Sequence, residues 1–456
     1  MKRFLQVLFW SLIPAAFIGP GTVTTAASAG ARFGYGLLWA LTFSTIATVV
    51  LQEASARVTV VSGRNLAEAI RDRFRGGATG LLVILLVLGA IVLGNAAYEA
   101  GNVLGAAAGA ALGSPISSRA ATALIVIVTF AVLWVGTPKV VTTVLAATVG
   151  VMGITFLVTA VMLAPPVGEV LRGSLVPSAP TGSGLLLLGL VGTTVVPYNL
   201  FLGSAAARGQ NLREIRFGLT VAVVLGGLIS MAILVAGTGL RGTFSYEAVS
   251  AMLSGRLGGW AGAMFAWGLF AAGFSSAITA PLAAAVTAGS LFEDGSGRWH
   301  ARGPRYRAVW MGVLAVGAAF GLAGVPPIPA IILAQALNGV VLPFAAVFLL
   351  VVVNDRALMG DDGINRPATN VVMSAVVAAT LVLGVSGVLK AAASAFGGTP
   401  TEGRILATAG GIAGVLLVPL LLWVRRARAR GMEHRTAGTA SRGEAAPAPK
   451  PRLPDR

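Results

Sequence analysis

The chain has no cysteine, only two histidines, and spends just 11% of its residues on charge. Without cysteine there can be no disulfide, no thiolate metal site and no thiol nucleophile. The two histidines, His300 and His434, both lie in charged stretches, which removes the usual zinc cluster. No nucleophile-base pair and no phosphate loop occurs among the apolar stretches, so neither an enzyme nor a cofactor is expected. What the chain has in excess is apolar surface. Of 456 residues 56% are hydrophobic, and the mean hydropathy is +0.85. That excludes an ordinary soluble domain and indicates an all-α polytopic membrane protein whose first partner is the lipid bilayer.

Hydropathy gives spans near 5–28, 36–61, 79–109, 120–137, 140–163 and 184–206, then 216–239, 260–290, 308–324, 329–353, 369–389 and 404–424. These make about twelve transmembrane helices, each close to the roughly 20 residues needed to cross. Met1–Arg3 followed by an apolar run has the look of a secretory signal, with Ala27, Ser28 and Ala29 as a cleavage site. The run continues into a multispan protein, however, which favours a first span. The net charge of +17 would suggest nucleic acid in a soluble protein, but here it follows the positive-inside rule and no nucleic-acid partner is expected. With the N-terminus cytoplasmic, 26 of the 33 Lys and Arg fall on the cytoplasmic side and 7 on the other. The expected location is the plasma or inner membrane, multi-pass, with both termini cytoplasmic. Residues 1–430 form the transmembrane domain, and 431–456, rich in Ala, Pro, Gly and Arg, read as a disordered basic tail.

Two spans are interrupted. Gly19, Pro20 and Gly21 sit inside the first, and Pro197 inside the sixth, in GLLLLGLVGTTVVPYNLFLG. Proline removes a backbone donor and clashes with the preceding turn. In lipid the freed groups persist only where they line a cavity. Two interrupted spans five apart are the mark of an inverted five-plus-five repeat with substrate held between half-helices. The repeats would cover about 5–163 and 184–353, with extra helices over about 369–424.

The run GPGTVTTAASAGARFGYGLLWA followed by SGRNLAEAI resembles the first two spans of the Nramp family of metal-ion transporters. GTTVVPYN is similar to that family's Met-Pro-His-Asn segment. FAAGFSSAITAPLA and AQALNGVVLPFAAVFLLVVVNDRALMG match its patterns in spans eight and ten. The resemblance runs from about residue 10 to 360 and implies a LeuT-type fold working by alternating access. It also shows what is missing. Gly19 stands where the family has its metal-binding Asp, and Thr22 where it has the ligand Asn. Val196 replaces the thioether Met, Tyr198 replaces His, and Thr193 takes the position whose carbonyl joins the metal shell. A thioether favours softer ions over hard ones, so its loss argues against manganese or iron. Loss of the carboxylate argues against tight capture of any bare divalent cation.

The expected substrate site is therefore Gly19, Thr22, Thr193, Val196, Tyr198, Asn199 and Gln335, around the breaks at Pro20, Gly21 and Pro197. Metal-facing groups reduce to the Thr22 hydroxyl and backbone carbonyls of Gly19 and Thr193, with those of Phe17, Ile18 and Thr194 nearby. Amides at Thr22, Val23 and Asn199 are donors suited to an anionic group. In span three Asn95, Glu99 and Asn102 recur at helical spacing and share one face. A carboxyl inside a membrane is read by default as functional. The resemblance aligns Glu99 with the Asp of the family's proton relay and Asn102 with its Glu, so Glu99, Asn95 and Asn102 are the proton-coupling candidates. Gln335 aligns with a residue able to reach the metal. Ser275, Ser276 and Thr279 can bond back to their own helix, and Gly101, Gly105 and Gly109 read as a packing face.

The resulting expectation is a secondary-active transporter of a divalent metal ion, more a hard or hydrated one such as magnesium than manganese or iron, with protons as coupling ion. The alternatives are an anionic or zwitterionic small solute carried on the same scaffold, or a sensor or scaffold without turnover.

Overall fold

In the computed structural model of the chain, the described residues are 18–443 except 75, 136–138, 241, 294–295 and 396–400. The first half of the first expected span, with the Phe17 carbonyl, lies outside them, as do residues 444–456 of the expected tail. The described residues form helices and connecting turns, with no strand among them.

The breaks appear where the prolines are. The first described helix, α1 (Pro20–Phe33), opens with Pro20 at its first position behind an extended Gly19 (φ −94°, ψ 178°). A proline there gives up an amide that a helix start leaves unpaired anyway. The sixth span is two helices: Gly184–Thr194 ends at Val195 (ψ 76°), and Pro197–Ala206 starts behind an extended Val196 (ψ 119°).

In order, the helices that frame these breaks are α1, α2 (Leu38–Ser62), α3 (Leu66–Arg73), α4 (Gly77–Gly113), α5 (Ser118–Val135), α6 (Lys139–Met162), α7 (Val167–Leu175), α8 (Gly184–Thr194) and α9 (Pro197–Ala206). Then come α10 (Leu212–Gly237), α11 (Tyr246–Leu257), α12 (Gly259–Phe292), α13 (Pro304–Leu322), α14 (Pro327–Val352), α15 (Arg356–Gly363), α16 (Pro367–Ala395) and α17 (Glu402–Gly443). α17 thus continues past residue 431, where the expected tail begins.

Among the described residues nine helices are long and apolar enough to cross a membrane. They coincide with nine of the twelve expected spans. The other three have clear reasons for differing. The first is described only from Ile18. α2 and α13 are helices of 25 and 19 residues, long enough to span, but α2 carries Gln52, Glu53 and Arg57, and α13 carries Arg305 and Arg307.

Close packing puts α1 at the centre. Every residue of α1 from Pro20 to Gly30 is buried, although α1 is rich in Thr, Ser and Gly. Small residues are what allow this. A methyl on Gly105 of α4 would overlap the Pro20 ring, and one on Gly30 would overlap the Leu234 carbonyl of α10. Gly237 of α10 meets the backbone of Ala27 in the same way. Helix contact through glycine, where apolar side chains gain nothing over lipid, follows the packing rule for membranes. At one end of the bundle α3 is held by a capping box, Asn65 and Glu68 each accepting the other's backbone amide. There Ser204 of α9 links the Leu66 amide and the Thr59 hydroxyl.

Candidate substrate site at the helix breaks

The two breaks meet. Thr22 Oγ1 of α1 lies 3.0 Å from Thr193 Oγ1 of α8, both buried. Gln335 of α14 covers this junction: its side chain occupies the space a Cβ on Gly21 would need, and its carbonyl packs on Gly192. Thr22, Thr193 and Gln335 are thus brought together from three helices. Only glycine at 21 and 192 permits that approach.

On the other side of the break the space beside Gly19 is polar. A Cβ at Gly19 would be 3.5 Å from Ser276 Oγ of α12 and 3.5 Å from the Tyr98 hydroxyl of α4. Tyr98 in turn meets Tyr198 edge to face, with ring centroids 5.4 Å apart. The Tyr98 and Tyr198 hydroxyls interact with each other, and that of Tyr198 with Thr279, while Ser276 Oγ has no hydrogen-bond partner among the described residues; Tyr98, Tyr198 and Ser276 are each at most 2% exposed. More such atoms belong to the same helices: Asn95 Nδ2, Glu99 Oε1, Asn199 Nδ2, Gln335 Oε1 and Asn338 Nδ2. Buried polar groups are ordinarily bonded. A concentration of unbonded ones around two helix breaks is the condition of a site built for water or a ligand.

Glu99 is fully buried, and its Oε2 accepts a bond from Asn102 Nδ2 at 3.3 Å. Its stem packs on Gly317 of α13, where a methyl would collide with Glu99 Cγ. Asn95 and Asn102 are buried with it. By contrast Glu53 is engaged at a bundle end, held by Arg57 at 3.1 Å and Arg216 at 2.7 Å. Among the described residues Glu99 is therefore the one carboxyl-bearing residue buried to 0%, next in the chain to Tyr98, which reaches Gly19.

The backbone is arranged otherwise than its sequence suggests. The Gly19 carbonyl accepts the amides of Thr22 (3.1 Å) and Val23 (3.3 Å), because the extended Gly19 turns it into the first helical turn. The Asn199 amide bonds to Val196 O at 3.1 Å, and Thr194 O accepts the Thr48 hydroxyl of α2 at 3.2 Å. These amides are committed to the helix starts, so side chains carry most of the unspent polarity. Val196 and Tyr198 are buried in one small cluster with Tyr98.

Two contributors were not singled out from sequence. Tyr98 is one, and its signal in the sequence is a tyrosine in mid-span beside the carboxyl of Glu99. Ser276 was grouped with Ser275 and Thr279; those two do bond back to Ala272 O and Ser276 O, while Ser276 faces Gly19. Farther along α1, Thr24 Oγ1 pairs with the Tyr246 hydroxyl of α11 at 2.8 Å, both buried. No group of three His, Cys, Asp or Glu able to hold a metal occurs among the described residues.

The profile of the family described as natural resistance-associated macrophage protein-like matches residues 11–390. The chain belongs to the Nramp family. It is similar to a divalent metal cation transporter, MntH, of Acidiphilium cryptum, 29% identical over 366 residues that cover 76% of this chain and 81% of that one. A protein of the same name from Aeromonas hydrophila is 27% identical, covering 85% and 96%. In structure the chain is similar to the Eremococcus coleocola manganese transporter, with a TM-score of 0.69 at 20% identity, covering 93% and 95% of the two chains. It also resembles Mhp1, a nucleobase-cation-symport-1 family transporter, closed with bromovinylhydantoin bound, with a TM-score of 0.54 at 14% identity and coverage of 94% and 96%. The fold of this Nramp protein is accordingly the polytopic LeuT-type one, with the sixth span divided at Val195–Val196 and the first described helix opening at Pro20.

Proposed function

We propose that this Nramp protein is a secondary-active transporter that carries a divalent metal ion by alternating access and holds it, still largely hydrated, between Gly19–Thr22 and Thr193–Asn199. The observation that carries the reading is that the space beside Gly19, where a carboxylate would project, is met by the Ser276 and Tyr98 hydroxyls, with unbonded amide groups of Asn199 and Gln335 on neighbouring helices. Hydroxyls and amides bond well to the water shell of an ion and poorly replace it. Magnesium dehydrates reluctantly and keeps several waters in its sites. Manganese and iron gain more from direct ligands, and this site supplies no thioether and no carboxylate in contact with the break. The relatives named divalent metal cation transporters support metal as the class of cargo.

Glu99 is the proton-coupling group in this reading. It is the fixed negative charge that offsets the incoming cation, and it exchanges its charge for a proton when the cation leaves. Asn102 and Asn95 hold and orient it. The asymmetry of Lys and Arg between alternate loops supports cytoplasmic termini.

One observation favours a second reading, a small anionic or zwitterionic solute. The unbonded groups include donors and acceptors on four helices, a set that suits an organic cargo as well as a hydration shell. The test is uptake into proteoliposomes under an inward proton gradient, with magnesium, manganese, amino acids and organic anions side by side. The proposal expects magnesium uptake that manganese competes with weakly. Uptake of an organic solute without any metal flux would overturn it in favour of the second reading.

A further inference from the structure

Away from the breaks, a cleft of about 720 Å³ opens at the end of the bundle that carries α3 and α15. One wall is α2, from Val49 and Val50 to Glu53 and Arg57; the other is the turn from α15 into α16 and the last turns of α17 at Arg428. The cleft has two chemically different ends. Val49 and Val50 lie about 12 Å along the helix axis from Arg57, at 1.5 Å per residue, toward the middle of the span. The mouth is ionic, with Arg57, Arg216, Arg366 and Arg428 facing Glu53, Asp361 and Asp362.

Two of the three acidic groups are matched, and the third, Asp362, is exposed. Glu53 is shared by Arg57 and Arg216, and Asp361 pairs with Arg356 at 3.3 Å. Arg366 is exposed and its side chain has no partner among the described residues, while Arg428 reaches the cleft with one bond, to Asn354 Oδ1 at 2.8 Å. The mouth also receives the N-terminus of α16, a helix of 29 residues beginning at Pro367, whose dipole adds positive potential. Exposed Arg425 and Arg426 follow on the α17 surface. A scaffold of amides keeps this geometry in place: Asn365 Nδ2 donates to Asn370 Oδ1 at 2.9 Å, and Asn370 Nδ2 to Asn354 Oδ1 at 2.7 Å.

We infer that this cleft binds the phosphodiester headgroup of an anionic phospholipid from the adjoining leaflet, with Arg366 and Arg428 on the phosphate and an acyl chain running over Val49 and Val50. Basic pockets between transmembrane helices at a membrane surface are the recognised form of such sites. The apolar inner end distinguishes a lipid from a free anion, which would have no use for it.

The experiment is native mass spectrometry of the full chain released from nanodiscs of equal parts dioleoyl phosphatidylglycerol and dioleoyl phosphatidylcholine, with inorganic phosphate as a competing arm. The expected result is retained phosphatidylglycerol in preference to phosphatidylcholine, reduced about fivefold by Arg366→Gln and again by Arg428→Gln, from the usual contribution of a basic residue at a lipid surface. Arg366→Lys should restore most of the retention. Because Arg428 also braces Asn354, Arg366→Gln alone decides if the double variant fails to fold. Equal retention of the two lipids, or retention unchanged in Arg366→Gln, would overturn the inference. Displacement of the lipid by millimolar phosphate would overturn it as well, by showing an anion site without lipid selectivity.

Discussion

Replacing Gly19 by Asp restores the charge that the helix break lacks, and the structure allows its effect to be estimated. The position accepts a side chain: a Cβ there sits 3.5 Å from both Ser276 Oγ and the Tyr98 hydroxyl, an ordinary contact distance. The backbone is extended at the N-cap, a conformation Asp adopts readily, and Asp in place of Gly at an N-cap changes stability by only a few tenths of a kcal/mol. A carboxylate about 4 Å from a divalent ion attracts it by about 8 kcal/mol at an effective dielectric constant of about 20. Stripping water from both partners consumes most of that. A remainder of about 1.4 to 2.8 kcal/mol corresponds to a ten- to hundredfold gain in affinity. Calorimetric titration of the purified protein should give a manganese Kd no tighter than about 1 mM for the wild type, a free energy near −4 kcal/mol. For Gly19→Asp the Kd should fall to roughly 10–100 μM, and magnesium should gain alongside manganese. Adding Val196→Met should then favour manganese selectively, through the softer ligand. Micromolar manganese binding by the wild type, or a folded Gly19→Asp protein with unchanged affinity, would refute the reasoning.

Glu99→Gln keeps the shape of the side chain and should abolish proton-coupled uptake without loss of folding; transport with an unaltered pH profile in proteoliposomes would remove Glu99 from coupling. Gly105→Ala should force the Pro20 ring away from α4 and cost about 1–3 kcal/mol as overpacking, which a lowered melting temperature in detergent would register together with lost transport. Thr24→Val strands the buried Tyr246 hydroxyl and should cost about 1–3 kcal/mol. Tyr246→Phe should cost less, because the Thr24 hydroxyl left behind can bond to its own helix; equal losses in the two variants would contradict that account.

The breaks were legible in the sequence because proline and glycine act locally: Pro20 and Pro197 restrict the chain whatever surrounds them, and helices start at both. Glu99 was legible for a similar reason, since a carboxyl in an apolar run is conspicuous without any structure. The partners of the break were harder to see. Ser276 differs from Ser275 and Thr279 only in the direction its hydroxyl takes from α12, and that depends on how α12 packs on α4. The commitment of the Thr22, Val23 and Asn199 amides was also hidden, because it follows from the torsions of Gly19 and Val196. The span at 36–61 was legible from its apolar run, although Gln52, Glu53 and Arg57 leave α2 less apolar than the nine clearest spanning helices.

The combination of a retained break and absent ligands has a physical explanation in how the break is stabilised. Its backbone groups are satisfied internally, by the first helical turns and by Thr48, and its approach to α4, α8 and α14 rests on Gly105, Gly21 and Gly192. None of that depends on a metal ligand. Position 19 can therefore lose its carboxylate and leave the junction standing, with the vacated region lined by Tyr98, Ser276 and Tyr198. Cargo selection in this protein is separable from the architecture that moves the cargo. In the proposed reading selection rests on Glu99 for charge and on the hydroxyls for a hydration shell, so removing the hydroxyls by Tyr98→Phe with Ser276→Ala should weaken magnesium uptake while leaving the Thr22–Thr193 junction, and hence the melting temperature, nearly unchanged.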